Sequence, residues 1–156
     1  EGKTLRYIFD IETNGFLNVC DTVHCIVLKN IDTGEILTPS NQEAVKVLEN
    51  AELLIGHNII KFDIPVLEKL LSVTFRCKIF DTLVGTRLLF SDIKEKDFSI
   101  KDFPKDCIGR HSLKAWGNRI GEYKEQITTD WQTFTPEMLD YCIQDTEVTY
   151  KLYKII

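Results

Sequence analysis

Two runs near the start of the chain, Leu5 to Glu12 and Val23 to Lys29, are dense in β-branched and aromatic residues and predict strands. Asn30-Ile31-Asp32-Thr33-Gly34 supplies turn formers before a short third strand over Glu35 to Thr38, so the chain opens as an antiparallel meander. The periodicity then changes. Ala44, Val45, Val47 and Leu48 recur at helical spacing behind the candidate caps Ser40 and Asn41, and Leu53 to Gly56 reads as a short buried strand. Pro65 falls in the first turn of a helix over Ile64 to Leu71, where its missing N–H costs little. A strand over Phe75 to Phe80 and a helix over Thr82 to Phe90 follow. Residues 91–110 alternate charges with single apolar residues and predict a long loop, which in a compact domain is more often functional than idle. Ser112 to Ile120 is helical, with Gly121 at its end. Thr135-Pro136-Glu137 sets a cap, an N1 proline and a first-turn acid at the head of a last helix whose one face carries Leu139, Cys142, Ile143, Thr146 and Tyr150. Strands first, then strands alternating with helices, predict an α/β domain on a mixed sheet, antiparallel then parallel, flanked by helices.

A length of 156 residues suits one domain, 1–156, and no linker or repeat divides it. With 44% hydrophobic residues and only 8 Gly and 4 Pro, fibrous and disordered classes are excluded. No apolar run approaches the roughly 20 residues that span a bilayer, so no membrane partner is expected. The residues before Leu5 do not read as a secretory leader. Five cysteines without a C-x-x-C pair argue against a disulfide framework and fit a reducing cytoplasm. The chain starts at Glu1 rather than Met and ends in or just after a helix, which leads us to expect a domain excised from a larger protein.

Three places carry candidate chemistry. Asp10 and Glu12 stand two apart in an otherwise apolar strand, so both carboxylates leave the same face. Such a pair belongs either at a solvated strand end or around a cation, since adjacent carboxylates raise each other's pKa. Asn58 and Asp63 bracket the junction between a buried strand and a helix, where α/β sheets bind ligands; Asp63 reads equally as a helix N-cap and Asn58 as a turn former. Tyr141 and Asp145 lie four apart on the last helix, stacked on one face and close to its apolar stripe.

D-x-E, N-x-x-x-F-D and Y-x-x-x-D in this order are similar to the three exonuclease motifs of the DnaQ-like 3′-5′ exonucleases, in the variant with tyrosine in the third motif, and the likeness covers residues 5–150. A second segment, His111-Ser112-Leu113-Lys114-Ala115-Trp116-Gly117-Asn118-Arg119-Ile120-Gly121, with Asp81-Thr82-Leu83 upstream, resembles the proofreading domain of the family A DNA polymerases of short-tailed phages. By itself Trp116 reads as core and Arg119 as solvent-facing. The resemblance implies a ribonuclease H-like fold, two divalent metal ions, Mg²⁺ or Mn²⁺, and removal of nucleotides from a DNA 3′ end. It implies Asp10 shared between the ions, Glu12 and Asp145 on the ion that activates water, Asp63 supporting the second ion through water, and Tyr141 orienting the attacking water. Family position also makes Thr13 a contact to the terminal nucleotide and Phe16 a wedge against its base, with Phe62 and Asn58 as further nucleotide contacts; Phe16 reads equally as a core residue.

The charge balance bears on partners. A net charge of −5 disfavours nucleic-acid binding at first sight. Without the four site carboxylates, however, 20 acids face 19 bases, so part of the acidity is the candidate metal site itself. Lys94, Lys96, Lys101, Lys105, Arg110, Lys114, Arg119 and Lys124 crowd into 31 positions with only five acids, a candidate path for a single strand, though a solvated loop accounts for them as well. The expected partners are a single-stranded or frayed DNA 3′ end and a polymerase domain in the same or a partner chain, in a host cytoplasm if the source is viral. The rival readings are an RNA-trimming 3′-5′ exoribonuclease of the ribonuclease D type and a DNA-binding module without activity.

Overall fold

In the computed structural model, which describes residues 5–122 and 129–156, strand β1 (Arg6–Thr13) lies at the centre of a five-stranded sheet. β2 (Val23–Asn30) pairs antiparallel with it, and β3 (Ile36–Leu37) pairs antiparallel with β2. On the other side β4 (Leu53–Gly56) and β5 (Lys78–Asp81) run parallel, giving the order β3-β2-β1-β4-β5. The mixed sheet expected from the order of elements is the one found. Between and after the strands come α1 (Asn41–Asn50), α2 (Ile64–Leu71), α3 (Thr82–Leu89), α4 (Ile93–Asp97), α5 (Leu113–Ile120) and α6 (Pro136–Ile155).

The alternation along β1 sorts its residues. Tyr7, Phe9 and Ile11 enter the main apolar cluster with Ala44 and Leu48 of α1 and Val66 and Leu67 of α2. The other face of β1 and β2 is covered by α6, with Cys142, Leu139 and Ile143 against Cys25 and Val27. Even a lysine is drawn in there. Lys29, 9% exposed, reaches Glu147 of α6 at 2.5 Å and lies 4.5 Å from the centre of the Tyr150 ring. The buried hydroxyls of Thr146 and Thr149 donate to the carbonyls of Cys142 and Asp145 one turn back, so α6 buries no unpaired hydroxyl at these two positions.

Four features depart from the sequence reading. The strand expected over Phe75 to Phe80 begins only at Lys78 and ends at Asp81. Asp63 is no cap: it closes a π-helical turn over Ile59–Asp63, and its side chain makes no capping bond to α2. Thr135 stands at the cap position of α6, yet its buried hydroxyl has no partner among the described residues.

The largest departure is in 91–110, expected as a loop, which contains α4 and a short 3₁₀ turn over Lys105–Cys107. Asp97 organises it. Its fully buried carboxylate accepts Nε of Arg119 at 2.8 Å, Nη2 of Arg119 at 2.7 Å and the Gly109 N–H at 2.8 Å. Arg119, expected in solvent on a nucleic-acid path, is buried instead, its guanidinium 4.6 Å from the centre of the Trp116 ring. Periodicity cannot reveal this, because the segment is held by an ion pair formed across 22 positions and by the single apolar anchor Ile93 in the cluster of Trp116 and Leu152. Burial alone would push the Asp97 carboxyl up, but the Arg119 bonds and the Gly109 N–H hold it below the ordinary carboxylate range.

A native pKa below the unfolded one means stability that is present above the unfolded value and lost as pH falls through the native one. Replacing Asp97 with Ala leaves Arg119 buried without its counter-charge, and is expected to cost about 3–5 kcal/mol in urea unfolding at neutral pH. The difference from wild type is expected to shrink as pH falls from about 4, the unfolded-state value, through the lower native one at which the folded carboxylate takes up its proton.

Candidate active site

The site starts where β1 outruns its neighbour. β4 pairs with β1 only through Ile8, so the last residues of β1 present an open edge. On the β2 side the register slips between Glu12 and Thr13, a bulge that sets Glu12 opposite Cys25 and Thr13 opposite Val23. Asp10 and Glu12 thus leave one face, partly exposed, toward α6. There the Cys142 thiol points at Asp10, with Sγ to Oδ2 3.6 Å. One ligand atom from each of Asp10, Glu12 and Cys142 lies within 4.8 Å of the other two.

Asp63 is delivered from the other direction. Gly56 ends β4, and a β-carbon there would sit 2.2 Å from Cγ2 of buried Ile59 and 3.1 Å from the Phe9 carbonyl, so only glycine lets the chain turn this close to β1. Asn58 adopts a left-handed conformation, φ 63°, and its N–H donates to Oδ1 of Asp81 at 2.8 Å. The Ile60 N–H donates to Oδ2 of Asp81 at 3.1 Å, and the same carboxylate caps α3 through the Leu83 N–H at 2.9 Å. Asp81 therefore locks the π turn that carries Asp63. His57 ties the same junction to its surroundings, with Nδ1 against Thr82 Oγ1 at 2.8 Å and Nε2 against the His111 carbonyl at 2.7 Å.

Asp63 is 4% exposed, and its Oδ2 has no hydrogen-bond partner among the described residues. Burial, followed by the charges of Asp81 and Asp145, drives its carboxyl well above the ordinary value, against the backbone N–H groups of Asp63 and Ile11 that favour the anion. A buried acid crowded by acids is an expensive arrangement without a cation. The donors here are oxygens with Cys142 at the margin, a set that fits a hard dication.

α6 supplies the rest. Asp145 is buried, and its charge is among those that raise Asp63. Tyr141, one turn earlier and partly exposed, meets Trp131 edge to face with ring centres 6.4 Å apart. Beside them opens a cavity of about 530 Å³ lined by Glu12, Thr13, Phe16, Asn58, Phe62 and Trp131, among others. All four candidate nucleotide contacts meet in it. Phe16 is 80% exposed, which excludes a core role, while Thr13 spends its hydroxyl on the Gly15 carbonyl at 2.7 Å. Trp131 escaped the sequence reading because it stands in a polar stretch with no periodicity. It is anchored by His24 on its carbonyl at 2.6 Å and by its neighbour Gln132 on the Asn14 carbonyl at 3.3 Å. The capping role of Asp81 has a signal in the sequence, an acid directly ahead of the first turn of a helix.

The basic stretch divides. Lys114 pairs with Asp106 and Lys96 with Asp92, while Arg119 is consumed by Asp97. Arg110 joins Arg87, His57 and His111 around a second cavity of about 480 Å³ that shares Asn58 with the first. Lys124 lies outside the described residues.

Comparison with known proteins bears on what this arrangement is. The family model described as 3′-5′ exonuclease matches residues 8–156. The DNA-directed DNA polymerase of Escherichia phage T7 is 32% identical over 179 residues, taking in 93% of this chain and 25% of the phage protein. This chain thus spans about a quarter of the length of the curated relatives it matches. Among solved structures it resembles Brucella melitensis NrnC bound to pGG, with a TM-score of 0.71 at 18% identity, covering 98% of this chain and 72% of that one. It also resembles Brucella melitensis NrnC with bound Mg²⁺, with a TM-score of 0.63 at 16% identity and the same coverage. At these identities the likeness is one of fold, and it is the ribonuclease H-like α/β fold that the motifs led us to expect.

A carboxyl whose native pKa is raised stabilises the fold only while protonated; that stability is present below the unfolded value and lost as pH rises through the native one. Asp63→Asn, which cannot ionise, is therefore expected to melt higher than wild type in metal-free buffer at pH 8. The advantage should vanish below about pH 4, where both states of the wild-type acid are protonated. Thermal melts of the two proteins across that range in EDTA check this.

Proposed function

This chain belongs to the 3′-5′ exonuclease family, and from that membership we propose that it hydrolyses the terminal phosphodiester at the 3′ end of DNA, releasing nucleoside 5′-monophosphates as the proofreading part of a replicative polymerase. One observation carries the reading. The end of a central strand sets Asp10 beside Glu12, a glycine-dependent π turn brings Asp63 to the Ile11 N–H between them and into the field of Asp145 on the last helix, and an aromatic cavity of the size that small ligands occupy opens alongside. The polymerase domain would lie in the same chain, as in the phage relative, or in a partner.

Asp10, Glu12 and Asp145 would hold one divalent ion, Mg²⁺ or Mn²⁺, with Asp63 supporting a second through Asp10 or water. When bound, such ions lower the pKa of a water and neutralise charge on the departing oxygen. The remaining work falls to side chains of this chain. Tyr141, on the turn before Asp145 and beside the cavity, orients the attacking water by a hydrogen bond. Phe16, Phe62 and Trp131 offer faces on which any base stacks, which suits removal of whichever nucleotide is mispaired. Arg87 and Arg110, around the adjoining cavity, attract the phosphates upstream of the scissile bond. Among the described residues no helix is long and apolar enough to cross a membrane.

The test offers a 3′-mismatched primer-template, the matching single strand and an RNA strand, each labelled at the 5′ end, in Mg²⁺ and in EDTA. Stepwise shortening of DNA in Mg²⁺ alone is expected, fastest on frayed or single-stranded ends. Preferential shortening of RNA would move the protein to the RNA-trimming branch, and no shortening by a folded protein would leave a binding module. Asp10→Ala and Asp145→Ala are expected to lose more than about 10²-fold in rate, and Tyr141→Phe less, since its role is a positioned hydrogen bond. Equal losses would deny the tyrosine that role. Mg²⁺ at about 100 times its Kd is expected to stabilise the wild type by about 2.7 kcal/mol, an increment that Asp10→Ala lacks.

A further inference from the structure

The proposed exonuclease gives Tyr141 a hydrogen bond to aim, and α6 alone does not fix the aim. The phenol is half-buried, and a side chain in such a place chooses between rotamers unless something packs against its ring. Trp131, in the wall of the aromatic cavity, is what packs there. The two ring centres stand 6.4 Å apart with their planes at 67°, the edge-to-face arrangement that aromatic quadrupoles favour.

Trp131 itself is not fixed by a core. It enters none of the apolar clusters that the described residues form, and its neighbours Asp130, Gln132 and Thr133 are exposed. Its backbone is pinned instead. From the second residue of β2, the His24 Nε2–H donates to the Trp131 carbonyl at 2.6 Å. The Gln132 side chain donates to the Asn14 carbonyl at 3.3 Å. Asn14 follows β1 directly and is braced in turn, its Oδ1 accepting the N–H groups of Asp21 at 3.0 Å and Thr22 at 3.2 Å. Both anchors thus belong to the β1–β2 hairpin, whose first strand carries Asp10 and Glu12. The clamp sets Trp131, and through it the Tyr141 ring, in the frame of those carboxylates.

We propose that Trp131 is a positioning residue: clamped through its backbone by His24 and Asn14, it holds the Tyr141 phenol in the orientation from which the hydroxyl meets the attacking water. The inference rests on the exonuclease reading and deepens the role given there to the tyrosine. An edge-to-face contact shifts a side-chain equilibrium by about two- to tenfold, which sets the size of the loss when the indole is removed. This role differs from stacking on a base. A wall for the base holds substrate and transition state alike and is read in KM, whereas aiming a hydroxyl is read in kcat. A residue that acts through Tyr141 also costs nothing further in kcat once that hydroxyl is gone.

The experiment measures steady-state shortening of a 5′-labelled DNA single strand in Mg²⁺ by wild type, Trp131→Ala, Trp131→Phe, Tyr141→Phe and the double variant Trp131→Ala/Tyr141→Phe. Trp131→Ala is expected to lose about two- to tenfold in kcat, whatever lost stacking adds to KM. Trp131→Phe, which keeps an aromatic edge, is expected to recover most of it, and the double variant to turn over no more slowly than Tyr141→Phe. A change confined to KM, or losses that multiply in the double variant, would overturn the proposal. A second readout needs no turnover. In protein labelled with 3-fluorotyrosine, the fluorine line of Tyr141 is identified by its absence from Tyr141→Phe. It is expected to shift in Trp131→Ala and in His24→Ala, and to return in His24→Gln, whose amide can donate to the same carbonyl; a line that stays in place in Trp131→Ala would also overturn the proposal. A folded wild type that shortens no strand would sink the exonuclease reading instead, while the fluorine line still decides whether Trp131 fixes the phenol.

Discussion

A buried acid beside other acids is the constraint to which the rest of this structure answers. Asp63 has almost no contact with solvent, one oxygen without a partner among the described residues, and the charges of Asp81 and Asp145 close by. Left to itself, such a side chain would swing outward or hold its proton. The fold prevents the first by fixing the backbone on both sides. Gly56 lets the chain approach β1, Asp81 takes up the Asn58 and Ile60 N–H groups, and α2 begins at once after Asp63. The three backbone bonds of Asp81 are not ornaments on α3; they convert a strand-to-helix junction into a fixed support.

Seen this way, the short β4 and the long β1 are one device. Had β4 continued beside β1, the Ile11 N–H would belong to the sheet ladder rather than to the Asp63 carboxylate. The bulge at Glu12 does the equivalent on the β2 side, ending regular pairing where the carboxylate must face α6. α6 then has to bring Asp145 against this edge while burying its own apolar side, which it does by placing Cys142 and Asp145 one turn apart on a shared face. Stability is spent at the mouth of the sheet and recovered in the cluster of Phe9, Ile11, Leu48, Ile59 and Leu67 behind it.

This division explains what the sequence made legible. β1, β2, β4, α2 and α5 follow from local periodicity and from caps that act within a few residues, and Ser40 and Ser112 bond as their positions imply. Asp10 and Glu12 stood out as paired acids in an apolar strand and Tyr141 and Asp145 as a pair four apart beside an apolar stripe, while Asp63 was marked only by its place at a strand–helix junction and read equally as a cap. What was not visible depends on partners far along the chain. Asp97 meets Arg119 across 22 positions, and Asp81 meets Asn58 across 23. The π turn has no sequence period of its own, and Trp131 is held at the site by partners more than a hundred residues earlier, His24 on its carbonyl and Asn14 on its neighbour Gln132.

The net charge of −5 poses a last question for the proposed exonuclease: how such a chain would attract a polyanion. Screening makes the question local, since at physiological ionic strength charges further apart than about 8 Å scarcely feel each other across solvent. The acids that dominate the total are in part the ones gathered at β1, where bound cations would reverse their effect on a phosphate. The bases are sorted too. Arg119 and Lys114 are tied up in pairs, while Arg87 and Arg110 gather around the cavity that adjoins the aromatic one through Asn58. Under the proposed reading, a strand would meet aromatic faces at its terminal base, cations at the bond to be cut and arginines just upstream. Net charge therefore does not decide whether this surface binds nucleic acid; the partition of its charges does.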